Sequence, residues 1–446
     1  MASTSKTRKK DRAGAAHHAK FLRPGHSATH SSSEPLLSMS NSEKRGEKFI
    51  AALRPVPICG NILRFVRKRH RFKVALVRSW SATGGVRRFE SELRHFAQDP
   101  SQRRLELPQL VVRSSEGRSR GIVSAGRSLV FEASSRYVRE VPEAHLLPPD
   151  IILSQGRRFV TENLNGEEAA ALKHGVLGAF VRSFSPVEDR LGAVFSLLGP
   201  SSHNYFHWLT QYLPRVEDFL LWRTVAAPNA KLLLAPGLWQ IRLLELLGVS
   251  RDLSVSYSLR HSMAEVAAVA SYPGYPGNLA LPATPERLTW VRSRILTALE
   301  LKEQPRTRRL FISRRDSGAH RPIKNEEEIA RTLERRGFQT VALGNLEIDD
   351  QVRLFAAARV VVAAHGAGLA NLVFSTAPTV IELFPPDWVQ PDFQAFQRAL
   401  AYQALTLFTG GRHVGVSLQG SVQSGLRADV EGLLRVLAEE LGDGIA

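Results

Sequence analysis

The stretch Val360-Val-Val-Ala-Ala-His-Gly-Ala-Gly-Leu-Ala-Asn371 decides the reading of this chain. Five apolar residues in a row, three of them β-branched, predict a strand buried on both faces, as in a parallel sheet covered by helices. A His and two Gly steps then deliver the backbone to a helix start. Gly366 and Gly368 allow close approach of a ligand, and the N–H groups of a helix start suit a phosphate. The spacing is neither the GxGxxG nor the Walker pattern, and a tight βα turn with a capping His would read the same way.

The alternation extends outward on both sides. Towards the amino terminus, Leu310-Phe-Ile-Ser313 predicts a strand. Asn325 then caps a helix through Arg336 that Gly337 ends, 339–343 is a strand and 349–358 a helix. Towards the carboxyl terminus, 380–384 reads as a strand, 392–402 as a helix, Leu405-Thr-Leu-Phe408 as a strand and 426–441 as a closing helix. An earlier series has a buried strand in Gly192-Ala-Val-Phe-Ser-Leu-Leu198, a helix from near His203 to about Trp222, a strand at 231–235 and helices at 238–247 and 285–301. Strand and helix in turn with short links predict doubly wound parallel sheets. The expected fold is α/β, with two Rossmann-like lobes at 191–302 and 303–425, a cleft between them, and a terminal helix within 426–446. Ligands of such sheets bind at the carboxyl ends of strands, here the loops after Ser313, Ala364 and Leu383.

The 446 residues carry a net charge of +18, but residues 1–125 alone are net +17 and the other 321 net +1. A nucleic-acid reading must therefore live in the first quarter. Its densest basic run, Arg64-Phe-Val-Arg-Lys-Arg-His-Arg71, has no RNA-binding aromatic signature or zinc spacing, which disfavours nucleic acid. Attraction to an anionic membrane surface and a solvated basic arm both stay open. Residues 1–46 are polar, basic and Ser-rich, and are expected to be a disordered tail. Residues 47–190 are expected to form a basic region, partly β-rich, packing on the first lobe. Its start, 47–73, reads as two surface helices or as a basic amphipathic segment lying on a membrane. Leu110-Val-Val112, Ile122-Val123, Leu129-Val-Phe131 and Ile151-Ile-Leu153 read as strands. No apolar run is long enough to predict a membrane-spanning helix. The single cysteine, Cys59, excludes an intrachain disulfide and favours a reducing compartment.

Three constellations could carry chemistry. After the strand ending at Ser313 come Arg314 and Arg315, with Arg321 further on. Guanidinium groups at a strand's carboxyl end match diphosphate oxygens, though a solvated basic loop has the same look. Glu382 lies inside an apolar strand, where a carboxylate needs a partner: a ribose hydroxyl or an Arg. In His203-Asn-Tyr-Phe-His-Trp-Leu-Thr-Gln211, helical spacing would put His203, His207 and Gln211 on one face. His is the usual base near neutral pH. Core histidines are the plainer reading, and no third ligand suggests a metal.

The run from His203 to Arg215, the stretch from Ile312 to Gln339, Ala363-Ala-His-Gly-Ala-Gly-Leu-Ala-Asn371 and Val380-Ile-Glu-Leu-Phe-Pro385 follow one another in an order that resembles the family 61 glycosyltransferases, above all bacterial members of capsule or exopolysaccharide assembly. The resemblance covers roughly 190–400. It implies a GT-B architecture, inverting transfer from a nucleotide-diphosphate sugar, UDP-linked, to a glycan acceptor, and no separate cofactor. The expected location is cytoplasmic, at the inner face of the membrane if the basic first quarter is the part that meets an anionic surface and free of it if that quarter is a solvated arm. Ser313, Arg314, Arg321, His365, Gly366, Ala367, Gly368, Asn371 and Glu382 would hold the donor, and His207, with His203 and Gln211, would serve the acceptor. The absence of a DxD agrees with metal-independent transfer. The family's motif after His-Trp usually has Asp or Glu where this chain has Gln211, so an inactive nucleotide-sugar-binding scaffold is the alternative. Asp349 and Asp350 are expected to start a helix away from the cleft.

Overall fold

Two mostly parallel sheets carry the alternation in the computed structural model. It describes residues 86–87, 104–108, 110–113, 119–121, 129–133, 136–148, 150–157, 159–160, 178–199, 201–235, 237–275, 281–301, 305–316, 322–386, 393–422 and 425–442. All lie within one compact unit, Arg69–Ala446. The tail 1–46, the segment 47–73, Ile122-Val123 and Arg321 lie outside the described residues.

The first sheet is built on β1 (Val138–Leu147), β2 (Asp189–Ser196), β3 (Lys231–Leu234) and β4 (Ser262–Ala270). Their spatial order is β1-β4-β2-β3, with Val86–Arg87 and Ser254–Ser256 at the edges and Ile151–Leu153 also on β1. Only β1 and its partners Val86–Arg87 and Ile151–Leu153 break the parallel pattern. Helices α1 (Val216–Val225) and α2 (Leu238–Leu246) follow β2 and β3, and α3 (Pro285–Ala298) leads to the second sheet.

The second sheet holds β5 (Arg308–Ser313), β6 (Phe338–Ala342), β7 (Ala358–Ala364), β8 (Thr379–Phe384) and β9 (Arg412–Ser417). The helices of this part are α4 (Glu326–Glu334), α5 (Ile348–Ala356), α6 (Phe393–Phe408) and α7 (Val430–Leu441). The five strands are parallel and run in the order β6-β5-β7-β8-β9. The winding reverses between β5 and β7, and that is where an open α/β sheet leaves a crevice. On β7, Val361 and Ala363 face a core shared with Phe195 and Leu232 of the first sheet, while Val360 and Val362 face a second core under α4 and α7. The continuous apolar run thus covers both faces, as its composition required.

Several expectations needed correction. Residues 405–408 are the last turn of α6 and not a strand; every residue from Leu400 to Thr406 is buried, the Thr406 hydroxyl donates one turn back to the Tyr402 carbonyl at 2.7 Å, and the chain turns through Gly410 (φ 74°) and Gly411 before β9. A short apolar run cannot by itself tell the two apart. The last helix starts at Val430, capped by Asp429, and Leu426 belongs to the short strand Gly425–Arg427. Asn325 precedes α4 but makes no side-chain cap; its amide clamps the backbone of Ala428 at 2.9 Å through both ends. Of the β-rich region before 190, Val111–Arg113 and Ser119–Gly121 extend the second sheet beside β9. Asp349 opens α5 at the edge of the cleft, where it takes both Nε and Nη2 of Arg242, at 2.7 and 2.6 Å.

Candidate active site

A cleft of about 810 Å³ opens at the carboxyl ends of β5, β6 and β7. One wall carries Ser313, Arg314 and Asp316 after β5, and Ala364, Gly366, Ala367 and Gly368 after β7. The other carries His203, Asn204 and Tyr205 at the start of the first helical turn, and Leu238, Trp239 and Arg242 of α2. Arg314 and Gly366, 52 residues apart in the chain, are brought together because β5 and β7 are neighbours in the sheet, and His203 lines the same cleft from the segment after β2.

Each loop is fixed from behind. The Ser313 hydroxyl donates to Glu326 Oε1, and the same oxygen accepts from Arg314 N at 3.0 Å. Arg314 Nη1 donates to the His365 carbonyl at 2.9 Å, tying the two loops together. Burial pulls the Arg314 guanidinium below its ordinary value, yet an Arg keeps its proton at neutral pH. After Gly366, residues Ala367–Phe374 form a 3-10 helix and not an α-helix, with the Leu369 N–H taken by the Gly366 carbonyl. A bulkier residue at 366 would collide with Arg314: a Cβ there falls 2.3 Å from Nη1. The glycine is needed for space, since its φ of 178° is ordinary extended backbone.

Asn371 and Glu382 sit behind the turn. Asn371 is fully buried; its Oδ1 accepts from Tyr205 OH at 2.7 Å, and its Nδ2 donates to Gln351 Oε1 and the Gly368 carbonyl. Burial pushes the Tyr205 hydroxyl up, so it remains a donor. Glu382 is also fully buried, and two imidazoles are its described partners. His365 Nδ1 lies 2.6 Å from Oε1 and His413 Nε2 2.9 Å from Oε2. Burial pulls His413 down to about 3, so that ring is neutral.

The third constellation divides. Asn204 caps the first turn through Phe206 N and His207 N, which leaves His203 outside the helix, exposed at the cleft, and not one turn from His207. The chain then passes from α geometry at Tyr205–His207 through a π segment at Trp208–Tyr212 and a 3-10 turn at Leu213–Arg215. Such π segments occur often at functional sites. His207 is half-buried, its Nδ1 2.8 Å from Gln211 Oε1. These two do not line the cleft. They connect to it through rings: Phe206 packs on Tyr402 at 5.3 Å, and Tyr402 on His365 at 4.9 Å. Tyr402 and His413 carried no local signal in the sequence, and neither did Trp239 or Arg242. Among the described residues no group of three or more His, Cys, Asp or Glu could hold a metal ion.

Residues 205–381 match the family model Glycosyltransferase 61. The match takes in His207, Gln211, Arg314, the His365–Gly368 turn and Asn371, and it supports glycosyltransferase activity with a sugar donor and an acceptor. No curated protein matches the chain. No helix among the described residues is long and apolar enough to cross a membrane.

Proposed function

We propose that the chain transfers a sugar, with inversion, from a nucleotide-diphosphate sugar to a glycan hydroxyl in surface-polysaccharide synthesis, using a metal-independent GT-B site. The observation that carries this reading is the meeting of Arg314 with Gly366–Gly368 at the reversal of the sheet's winding, in a cleft of about 810 Å³. A diphosphate seated there would meet a guanidinium and backbone N–H groups together. The acceptor oxygen attacks the anomeric carbon, the bond from that carbon to the phosphate oxygen breaks, and the electron pair leaves on the diphosphate. Arg314 offsets the charge that builds there. The acceptor must then enter beside the Phe206–Tyr402 pair, where half-buried His207, which does not itself line the cleft, would take its proton. His203, exposed in the cleft, orients the acceptor. Asn371 and Glu382 act at one remove, through the Gly368 carbonyl and the His365 ring.

The test is a screen of nucleotide sugars for nucleoside diphosphate release, with nucleotide binding measured beside it. Release on addition of a glycan acceptor is expected. Binding without release would favour the inactive scaffold, and neither binding nor release would sink the donor assignment.

A further inference from the structure

Gln211 is almost completely buried, and its two amide ends face different groups. Nε2 lies 2.8 Å from the Leu281 carbonyl oxygen. A carbonyl only accepts, so the group facing it must be the NH2, and the orientation of the amide is chemically fixed. Oε1 therefore faces His207 Nδ1, at 2.8 Å. An amide oxygen also only accepts, so Nδ1 must carry the hydrogen. In the neutral ring the lone pair then lies on Nε2. The frame around the amide is held as well. Arg215 Nε donates to the Gln211 carbonyl at 3.0 Å, and Ala283 N to the Thr210 carbonyl at 2.8 Å.

We infer that Gln211 is a positioning residue: it fixes His207 as the Nδ1–H tautomer and so makes Nε2 the proton-accepting atom of the ring. The functional meaning rests on the proposed role of His207 as the acceptor's base, but the tautomer stands on the hydrogen bonds alone. As the acceptor oxygen bonds to the anomeric carbon, its hydrogen passes to Nε2, and the ring becomes an imidazolium whose Nδ1–H still points at Oε1. A carboxylate at 211 would meet the Leu281 carbonyl with a second acceptor and would pair His207 as a cation. The amide instead orients the ring without adding charge. On this reading Gln211 does not by itself mark a dead site.

The experiment uses the full chain with 15N-labelled histidine, the His207 signals being identified by their loss in His207→Gln. Above the ring's titration, Nδ1 is expected to give a pyrrole-type shift and Nε2 a pyridine-type shift. The opposite assignment, or two averaged shifts, would overturn the inference. In Gln211→Leu the pattern should lose its Nδ1–H preference; in Gln211→Glu the ring should stay doubly protonated to a pH about one unit higher or more. If both variants keep the parent's tautomer and titration, Gln211 does not set them and the inference falls. Should either variant fail to fold, the parent spectrum still decides the tautomer. Turnover is read separately: Gln211→Leu should lower it by about 10- to 100-fold with donor binding retained. A correct tautomer in a chain that releases no nucleoside diphosphate would remove the transferase reading and leave the hydrogen-bond inference in place.

Discussion

Replacing Gly366 by Ala tests the diphosphate clamp with a single methyl group. The added Cβ would fall 2.3 Å from Arg314 Nη1, where ordinary contact begins near 3.4 Å, so the guanidinium must retreat by about 1 Å. The backbone gives no objection, because φ at 366 is 178°. The atom displaced is the far end of a flexible side chain, so stability should change by less than about 1 kcal/mol. Function should change more. The bond from Nη1 to the His365 carbonyl, now 2.9 Å, would stretch or break, and the charge would leave its place beside the turn. A misplacement of about 1 Å can cost about 100-fold in rate, which is the fall expected in kcat/KM for nucleoside diphosphate release. Removing the guanidinium altogether, in Arg314→Ala, should cost about 2–4 kcal/mol, or roughly 30- to 1000-fold. The decisive measurement is the double-mutant cycle. If Gly366→Ala acts through Arg314, it should cost less than about twofold in the Arg314→Ala background. Equal losses in both backgrounds would refute the mechanism, and a melting temperature well below the parent's would show that the turn itself had been damaged.

Asp218 is fully buried between Arg287, at 2.8 Å, and Arg136, at 2.5 Å; against the cost of burial these two guanidinium groups hold its carboxyl below the usual range. Asp218→Asn leaves Arg287 buried without its counter-charge and should destabilise by about 3–5 kcal/mol in urea unfolding; a change under 1 kcal/mol would mean that the ion cluster is not structural. His413, held down to about 3 by burial, and His145, lowered by burial and then by His261 and Arg157, stay neutral where an unfolded chain would protonate them. Below pH about 6.5 the unfolded state therefore binds more protons, and stability should fall as pH falls towards 3. His413→Gln should flatten that slope by about 1.4 kcal/mol per pH unit, one proton's worth, and parallel curves for parent and variant would contradict the assignment. A chelator should leave turnover within about twofold; loss restored by manganese would mean that a cation helps the leaving group.

Periodicity is a local property, and the sequence by itself determined what periodicity encodes. The apolar run 360–364 announced a strand covered on both faces, and the spacing of apolar residues placed α4, α5 and α7, while the Gly steps at 366 and 368 proved to be crowded by the side chains of Arg314 and Leu343. Residues 405–408 fell to the wrong class because three apolar residues and a Thr fit either period, and only their place at the end of α6, which packs Leu400 and Ala404 into one core and Ala401 and Leu405 into another, chose the helix. The site needed more than pattern. Arg314 meets the 366–368 turn because the sheet orders its strands β6-β5-β7, and no residue in either loop states that order. His203 and His207 look alike in spacing, but Asn204 takes the cap and separates them. The partner of Glu382 was decided by register: Val380 pairs with His413 across β8 and β9, and Ala363 with Glu382 across β7 and β8, which sets a carboxylate between two imidazoles that the chain holds 17 and 31 residues away. Side-chain partners of buried charges are chosen by which strands lie side by side, and that choice is made by the packing of the whole sheet.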